Sequence, residues 1–304
     1  MKVSEIIKGG RRFASLEIVP PQKGVTKNEL LDSIRPFMEF DPPFINVTCH
    51  RDEFEYRPDG NGGYTRRIVR RRVSQSAVCS VIASEFSTEV VPHLICAGAG
   101  ADMIESQLQD FKFLGINNIM ALRGDSLLGE KRFTPEKDGY SHASELVGAI
   151  RDFSARTGTD FCIGVGAYPE KHFEAPNLES DIAWLKHKVD AGADFIITQM
   201  FFDNAVFYSF VDKCREAGIT VPIIPGLKPL TTARQVDLLP ESFYLDIPEE
   251  LVRAMKAPGA DCYGIGLEWC SAQVADLLAH GVQAIHFYTM GRPDNILSIL
   301  SRHF

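Results

Sequence analysis

Residues 178–203 read LESDIAWLKHKVDAGADFIITQMFFD, and they hold one full repeat of the architecture. Over Leu178–Ala191 the pattern is helical, with Asp181, Trp184 and Lys188 at i, i+3 and i+7 and therefore on one face. Gly192 stands where a helix C′ residue must turn left-handed, a conformation cheap only for glycine. The run Phe195–Phe201 is apolar without alternation, as strands covered on both faces are. The same joint recurs in FLGINNIMAL, EAGITVPIIP and AHGVQAIHFY, at Gly115, Gly218 and Gly281.

Working outward, the strands predicted are Ala14–Pro20, Phe44–Cys49, Val90–Cys96, Ile119–Arg123, Cys162–Tyr168, Phe195–Phe201, Val221–Leu227 and Ala284–Tyr288. Helical patterns lie between them at Asn28–Phe40, Ala101–Leu114, Ala143–Arg156, Leu178–Ala191, Ala205–Ala217 and Ala272–His280. Eight such units in 304 residues predict a single-domain α/β chain folded as a (β/α)8 TIM barrel, with a doubly wound open sheet as the competing reading. Two stretches interrupt the rhythm. Asp52–Arg72 (DEFEYRPDGNGGYTRRIVRRR) has turn chemistry at Pro58–Gly63 and predicts a hairpin or lid after the second strand. Its Arg66, Arg67, Arg70, Arg71 and Arg72 form a basic cluster, read first as a solvated helix start or a subunit contact. Pro240–Pro258 predicts an extra helix before the last strand.

A net charge of -8 argues against a nucleic-acid binder that works through a basic surface, and a small-molecule enzyme fits better. The seven cysteines form no CxxC pair and sit mostly in apolar runs, as buried free thiols of a reducing compartment do. No apolar stretch reaches the ~18 residues of a membrane span, and MKVSEIIKGGRR lacks the core of a signal peptide, so the cytoplasm is the expected location.

In a barrel the working residues cluster at the C-terminal ends of the strands. Those ends carry Glu17, Thr48, His93, Arg123 with Asp125, Tyr168, Gln199 and Lys228, with Arg292 shortly after the last strand. Glu17 lies between Leu16 and Ile18; either it belongs to a structural ion pair, or desolvation raises its pKa and makes it a general acid. Asp125 follows Gly124, where a backbone can approach a ligand closely, though a turn residue is the plainer reading. The helix face of Asp181, Trp184 and Lys188 fits surface charge packing or a ribose, ring and phosphate. The eight histidines show neither HExxH nor HxH spacing, which speaks against a zinc hydrolase, and the chain has no P-loop and no GxGxxG.

SLEIVPP, VTCH, PHLIC, ALRGD, HASELV, AYPEKHFEA, LKHKVDAGADFIITQMFFD, IIPGLKPL and HFYTMGR, in this order and from about residue 13 to about residue 293, resemble methylenetetrahydrofolate reductase of the single-domain bacterial type. The resemblance implies noncovalent FAD along a barrel spanning residues 1–304, reduced by NADH or NADPH and reoxidised by 5,10-methylenetetrahydrofolate. The product would be 5-methyltetrahydrofolate, for one-carbon metabolism and methionine supply. It implies that Glu17 is the acid protonating a folate nitrogen and Asp125 the carboxylate tuning the flavin. FAD-contacting positions would be Thr48, His93, Arg123, Gly124, Asp125, His142, Ala143, Tyr168, His172, Ala175, Asp181 and Lys188, with Trp184 in addition. Folate or nicotinamide contacts would be Gln199, Gln235 and Arg292. The sequence departs from the family where Ile18 and Val19 replace two aromatics, where His142 replaces a common tyrosine, and at Leu239, where an aromatic often stacks on substrate. No metal is implied, and a homo-oligomer is compatible. The competing readings are another barrel enzyme, such as a Schiff-base lyase using Lys228, and a non-catalytic flavin or folate binder.

Overall fold

The computed structural model describes residues 1–125, 133–289 and 294–304. A short helix α1 (Val3–Lys8) precedes strand β1 (Phe13–Ile18), and helix α2 (Lys27–Ile34) runs into a 3-10 turn at Arg35–Phe40 before β2 (Phe44–Val47). An antiparallel pair, β3 (Glu53–Pro58) and β4 (Tyr64–Val69), then leads through α3 (Gln75–Glu85) to β5 (Glu89–Ile95). Helix and strand alternate through α4 (Ala101–Phe113), β6 (Asn118–Leu122), α5 (Ala143–Thr157), β7 (Cys162–Ala167), α6 (Leu178–Asp190), β8 (Phe195–Met200), α7 (Asn204–Glu216) and β9 (Ile223–Leu227). Helices α8 (Gln235–Phe243), α9 (Glu249–Met255) and α10 (Cys262–Ala279) come before β10 (Ala284–Tyr288), and α11 (Asp294–His303) follows it.

The parallel strands close in the order β1-β10-β9-β8-β7-β6-β5-β2, which makes the fold a TIM barrel and removes the open-sheet alternative. All four joint glycines have positive φ, between 71° and 119°, so each helix ends where the sequence placed its stop. Among the described residues no helix is long and apolar enough to cross a membrane.

Some expectations need correction. The helix predicted at Asn28–Phe40 breaks at Ile34, because Pro36 enters the first turn of the 3-10 segment. The helix predicted at Ala272–His280 is only the second half of α10, whose first half carries Gly264 and Gly266 and so looked like a loop. Gly266 is there for close approach: a Cβ on it would lie 1.9 Å from the Leu230 carbonyl oxygen. The stretch Pro240–Pro258 holds the end of α8 as well as α9. The arginine run is no helix start. Arg66 and Arg67 belong to β4, Arg70 pairs with Asp52 at 2.8 Å, and Arg71 pairs with Glu53 and Glu55, each at 2.8 Å.

Side-chain alternation sorts each barrel strand into an outer and an inner set. Outward residues such as Ile45, Val90, Ile119, Ile163 and Ile196 pack under the helices in one continuous core. Inward residues form storeys. The lowest is apolar, with Phe13, Phe44, Val91, Cys162 and Phe195 packed against Val3, Ile6 and Ile7 of α1. The middle storey is polar, where Ser15 Oγ lies 2.9 Å from His286 Nδ1 and Asn46 Nδ2 lies 3.3 Å from His93 Nε2. Above it, at the strands' C-terminal ends, come Glu17, Lys228 and Tyr288.

Candidate functional site

The mouth of the barrel has two chemically different sides. On the side of β10, β1, β2 and β5, Glu17 enters the interior beside Tyr288, its register partner on β10. His93 Nε2 approaches to 3.5 Å from Glu17 Oε2. Among the described residues no lysine or arginine lies within ion-pairing distance of Glu17, so the structural ion pair does not form. Burial pushes the Glu17 carboxyl up to about 7, while the Lys228 ammonium pulls the other way. Burial also holds His93 neutral, down to about 3. With the Asn46 amide donating to His93 Nε2, that nitrogen carries no proton to give an ionised Glu17, so nothing there stabilises the carboxylate and the protonated acid is favoured. Thr48 Oγ1 lies 3.1 Å from His50 Nε2 just outside this pair.

On the side of β6, β7 and α6 the groups are of both signs and well tied. Arg123 donates to Glu174 Oε2 at 2.5 Å, and its guanidinium lies 3.5 Å from His172 Nε2. The His172 backbone N–H donates to Asp181 Oδ2 at 2.8 Å, and Ala175 N–H returns to the His172 carbonyl at 3.0 Å. Lys188 reaches inward from α6 to the Gly166 carbonyl at 2.5 Å; burial lowers its ammonium to about 8, with Asp181 opposing. Tyr168 packs edge-on to His172 at 4.8 Å, and burial raises its phenol to about 12, with Asp125 adding to the shift. Gly124 has φ +82°, and a Cβ there would meet Ala97 Cβ at 2.8 Å, so the chain bends tightly just before the exposed Asp125.

Further out, His142 caps α5 ahead of Ala143 and stacks on Trp184, with ring centroids 5.5 Å apart and planes 5° from parallel. The face shared by Asp181, Trp184 and Lys188 is thus turned to this side of the mouth rather than being surface packing alone: Asp181 and Lys188 hold backbone of the β7 end, and Trp184 remains half-exposed.

Of the residues expected at the substrate, Gln235 lines a polar cleft of about 240 Å³ with Lys228, Thr231, Tyr288, Thr289 and Asn295. Its Oε1 accepts from the Thr231 N–H at 2.6 Å, which leaves its amide N–H groups for a ligand. Gln199 lies elsewhere, in a crevice with Tyr168, Phe243 and Tyr244, and its Oε1 accepts from the next backbone N–H at 2.9 Å. The cause is a register shift between Ile197 and Met200 that re-aims the strand end. Arg292 lies outside the described residues. Leu239 is buried among Met200, Val236 and Leu251, so the position where an aromatic was expected belongs to the core.

Sequence reasoning missed Asn46, Tyr288 and Glu174. A lone amide in the apolar run FINV was the available signal for Asn46, and a tyrosine two residues after His286 was the one for Tyr288. Nothing local marked Glu174, because its partner Arg123 is far off in sequence.

The donors at the β5, β6 and β7 ends fit a flavin dinucleotide. Arg123 and Lys188 can meet a pyrophosphate, the rings of Tyr168, His172 and Trp184 can meet flat heterocycles, and beside Gly98, just after β5, the Arg51 Nε is buried without a hydrogen-bond partner among the described residues. Among the described residues no group of three or more His, Cys, Asp or Glu side chains is placed to hold a metal ion.

Comparison with known proteins gives a consistent picture. Residues 2–303 match the family model described as methylenetetrahydrofolate reductase. Methylenetetrahydrofolate reductase (NADH) 1 of Arabidopsis thaliana is 30% identical over 313 residues, covering 98% of this chain and 49% of the relative, so the chain spans about half the length of such relatives. The 5,10-methylenetetrahydrofolate reductase of Salmonella typhimurium is 32% identical over 288 residues, covering 94% of this chain and 88% of its own length. An uncharacterised Clostridium thermocellum protein that binds two copies of 5-methyl-5,6,7,8-tetrahydrofolic acid shares the fold, with a TM-score of 0.67 and 12% identity over 100% of this chain and 98% of that one.

Proposed function

Because this chain belongs to the methylenetetrahydrofolate reductase family, we propose that it reduces 5,10-methylenetetrahydrofolate to 5-methyltetrahydrofolate with electrons from NADH or NADPH, holding FAD noncovalently within residues 1–304. The observation that carries the proposal is a carboxylic acid poised near neutrality, Glu17, across the barrel mouth from a cradle whose Arg123 and Lys188 fit a dinucleotide.

Arg123 and Lys188 would hold the pyrophosphate, and Tyr168, His172, His142 and Trp184 would flank the rings, with Thr48, His93, Gly124, Ala143, Ala175 and Asp181 completing the cradle. The flavin, when bound, supplies the hydride that it has taken from the nicotinamide. The protein's own chemistry is the proton. Glu17 donates to N10 of the folate, the five-membered ring opens, and an iminium forms between N5 and the methylene carbon. Its raised pKa makes the proton available near pH 7. Asp125, exposed at the end of the tight bend, adds negative charge that favours the cationic iminium. Gln235 offers amide donors from the polar cleft, while Gln199 serves the crevice beside Tyr168.

The family and the folate ligand of the Clostridium protein both support a folate substrate. Free thiols at all seven cysteines suit a cytoplasmic setting. The test is anaerobic stopped-flow on the purified protein. Flavin absorbance should bleach with NADH or NADPH and return on addition of 5,10-methylenetetrahydrofolate. A colourless protein that binds no added FAD, or a reduced flavin that the folate does not reoxidise, would reject the proposal.

A further inference from the structure

Lys228 is a buried cation for which the reaction above has no use. It lies one residue beyond Leu227 on β9, and Leu227 is the register partner of Phe287 on β10, so Lys228 stands level with Tyr288. Tyr288 is in turn the register partner of Glu17 on β1. Lys228 also shares inward parity with Ile224 and Gly226, and Ile224 belongs to the apolar floor inside the barrel. Glu17, Tyr288 and Lys228 therefore occupy one inner row across three adjacent strands. The Lys228 side chain is 6% exposed, and among the described residues its ammonium has neither a hydrogen bond nor an ion pair.

We propose that Lys228 is a positioning residue for the acid, its ammonium being held along the inner row so that Glu17 keeps a proton it can still release in the neutral range. The inference rests on the reading of Glu17 as the proton donor. A carboxyl buried without an opposing charge holds its proton too tightly to be a good acid at neutral pH. Lys228 opposes that effect from beyond contact distance, and the influence is mutual, since Glu17 supports the ammonium against its own burial. Among the described residues Tyr288 bonds to neither group, because its hydroxyl is turned away to donate to the Thr198 carbonyl at 2.7 Å.

Among the described residues the other groups around the acid do not supply this charge. His93 on β5 and His286 on β10 are both held neutral by burial. His50, beyond Thr48, is lowered by burial, with Arg72 contributing. Burial keeps the Tyr288 phenol and the Cys270 thiol, which faces Lys228 from α10, protonated.

Two readouts separate this inference from the reading it rests on. Protein labelled with carbon-13 at the glutamate carboxyl carbons reports the Glu17 titration directly, with Glu17→Gln assigning the resonance. The midpoint should rise on the order of one pH unit in Lys228→Met and in Lys228→Gln, and return to within a few tenths in Lys228→Arg. The alkaline limb of folate reduction should move up by the same amount in the neutral variants. An unmoved midpoint in folded Lys228→Met and Lys228→Gln would overturn the inference, whatever the fate of activity. A midpoint that moves while the limb survives in Glu17→Gln would instead remove Glu17 from the donor role and leave the coupling standing.

Discussion

The two sides of the barrel mouth bury comparable polar groups and do opposite things with them. On the β6–β7 side three charges each have a near partner: Arg123 has Glu174, Asp181 has the His172 N–H, and Lys188 has the Gly166 carbonyl. On the β10–β1 side, among the described residues, Glu17 has only a neutral histidine 3.5 Å away and a lysine beyond contact. Partnered burial fixes geometry and makes a binding surface; unpartnered burial leaves a proton in play and makes a reagent.

The comparison breaks most plainly if the reagent proves dispensable. Glu17→Gln should retain FAD and its reduction by NAD(P)H but lose ~10²–10⁴-fold in reduction of methylenetetrahydrofolate, the usual worth of a placed proton transfer. Single-turnover kinetics with prereduced enzyme will read it, and an equal loss in both half-reactions would place Glu17 in flavin binding instead.

A second, smaller effect concerns stability. The Glu17 carboxyl has a folded pKa of about 7, above its ordinary value of 4.5, so the acid favours the native state at low pH and that contribution is lost as pH rises from 4.5 through 7. Glu17→Gln should therefore gain on the parent protein between pH 5 and pH 8, by ~3 kcal/mol at most. Denaturant melts at the two pH values decide it, and a constant difference would mean that the carboxyl is not desolvated.

The partnered side should respond in binding. Lys188→Met removes a buried charged donor and should weaken FAD ~10–100-fold, the scale of one charge-assisted hydrogen bond. Lys186→Met, two residues away and paired with Asp190 on the surface, should leave the affinity as it is. Fluorescence titration of apoprotein with FAD compares them.

Least of all, Asp125→Asn should raise the flavin midpoint potential by the equivalent of ~1 kcal/mol or less, since an exposed charge acts through solvent. Redox titration against a reference dye tests the sign. A lower potential with FAD still bound would make Asp125 a turn residue.

The barrel was legible because its joints are local: a glycine after each helix and an apolar run after each glycine are enough to count units. Helix α3 (QSAVCSVIASE) was not, since small residues dilute its apolar face. In α10 the contact of Gly266 with the Leu230 carbonyl is long-range, so the glycine looked like a break. Glu17 stood out in the sequence as a carboxyl in an apolar strand, but its contacts could not: Asn46 and His93 reach it through the pairing of β1 with β2 and of β2 with β5. Gln199 was correctly seen at a strand end, yet the register shift that carries it away from Gln235 has no sequence signature.

The storeys inside the barrel divide labour along its axis. Phe13, Phe44 and Phe195 at the floor hold the strands together, while Glu17, Tyr288 and Lys228 at the top are separated from them by the polar layer of Ser15, Asn46, His93 and His286. In evolutionary terms that layer is a buffer. Changes in the top row can be tried without disturbing the packing that folds the chain, so descendants of this scaffold have room to alter acidity and substrate before they lose the barrel.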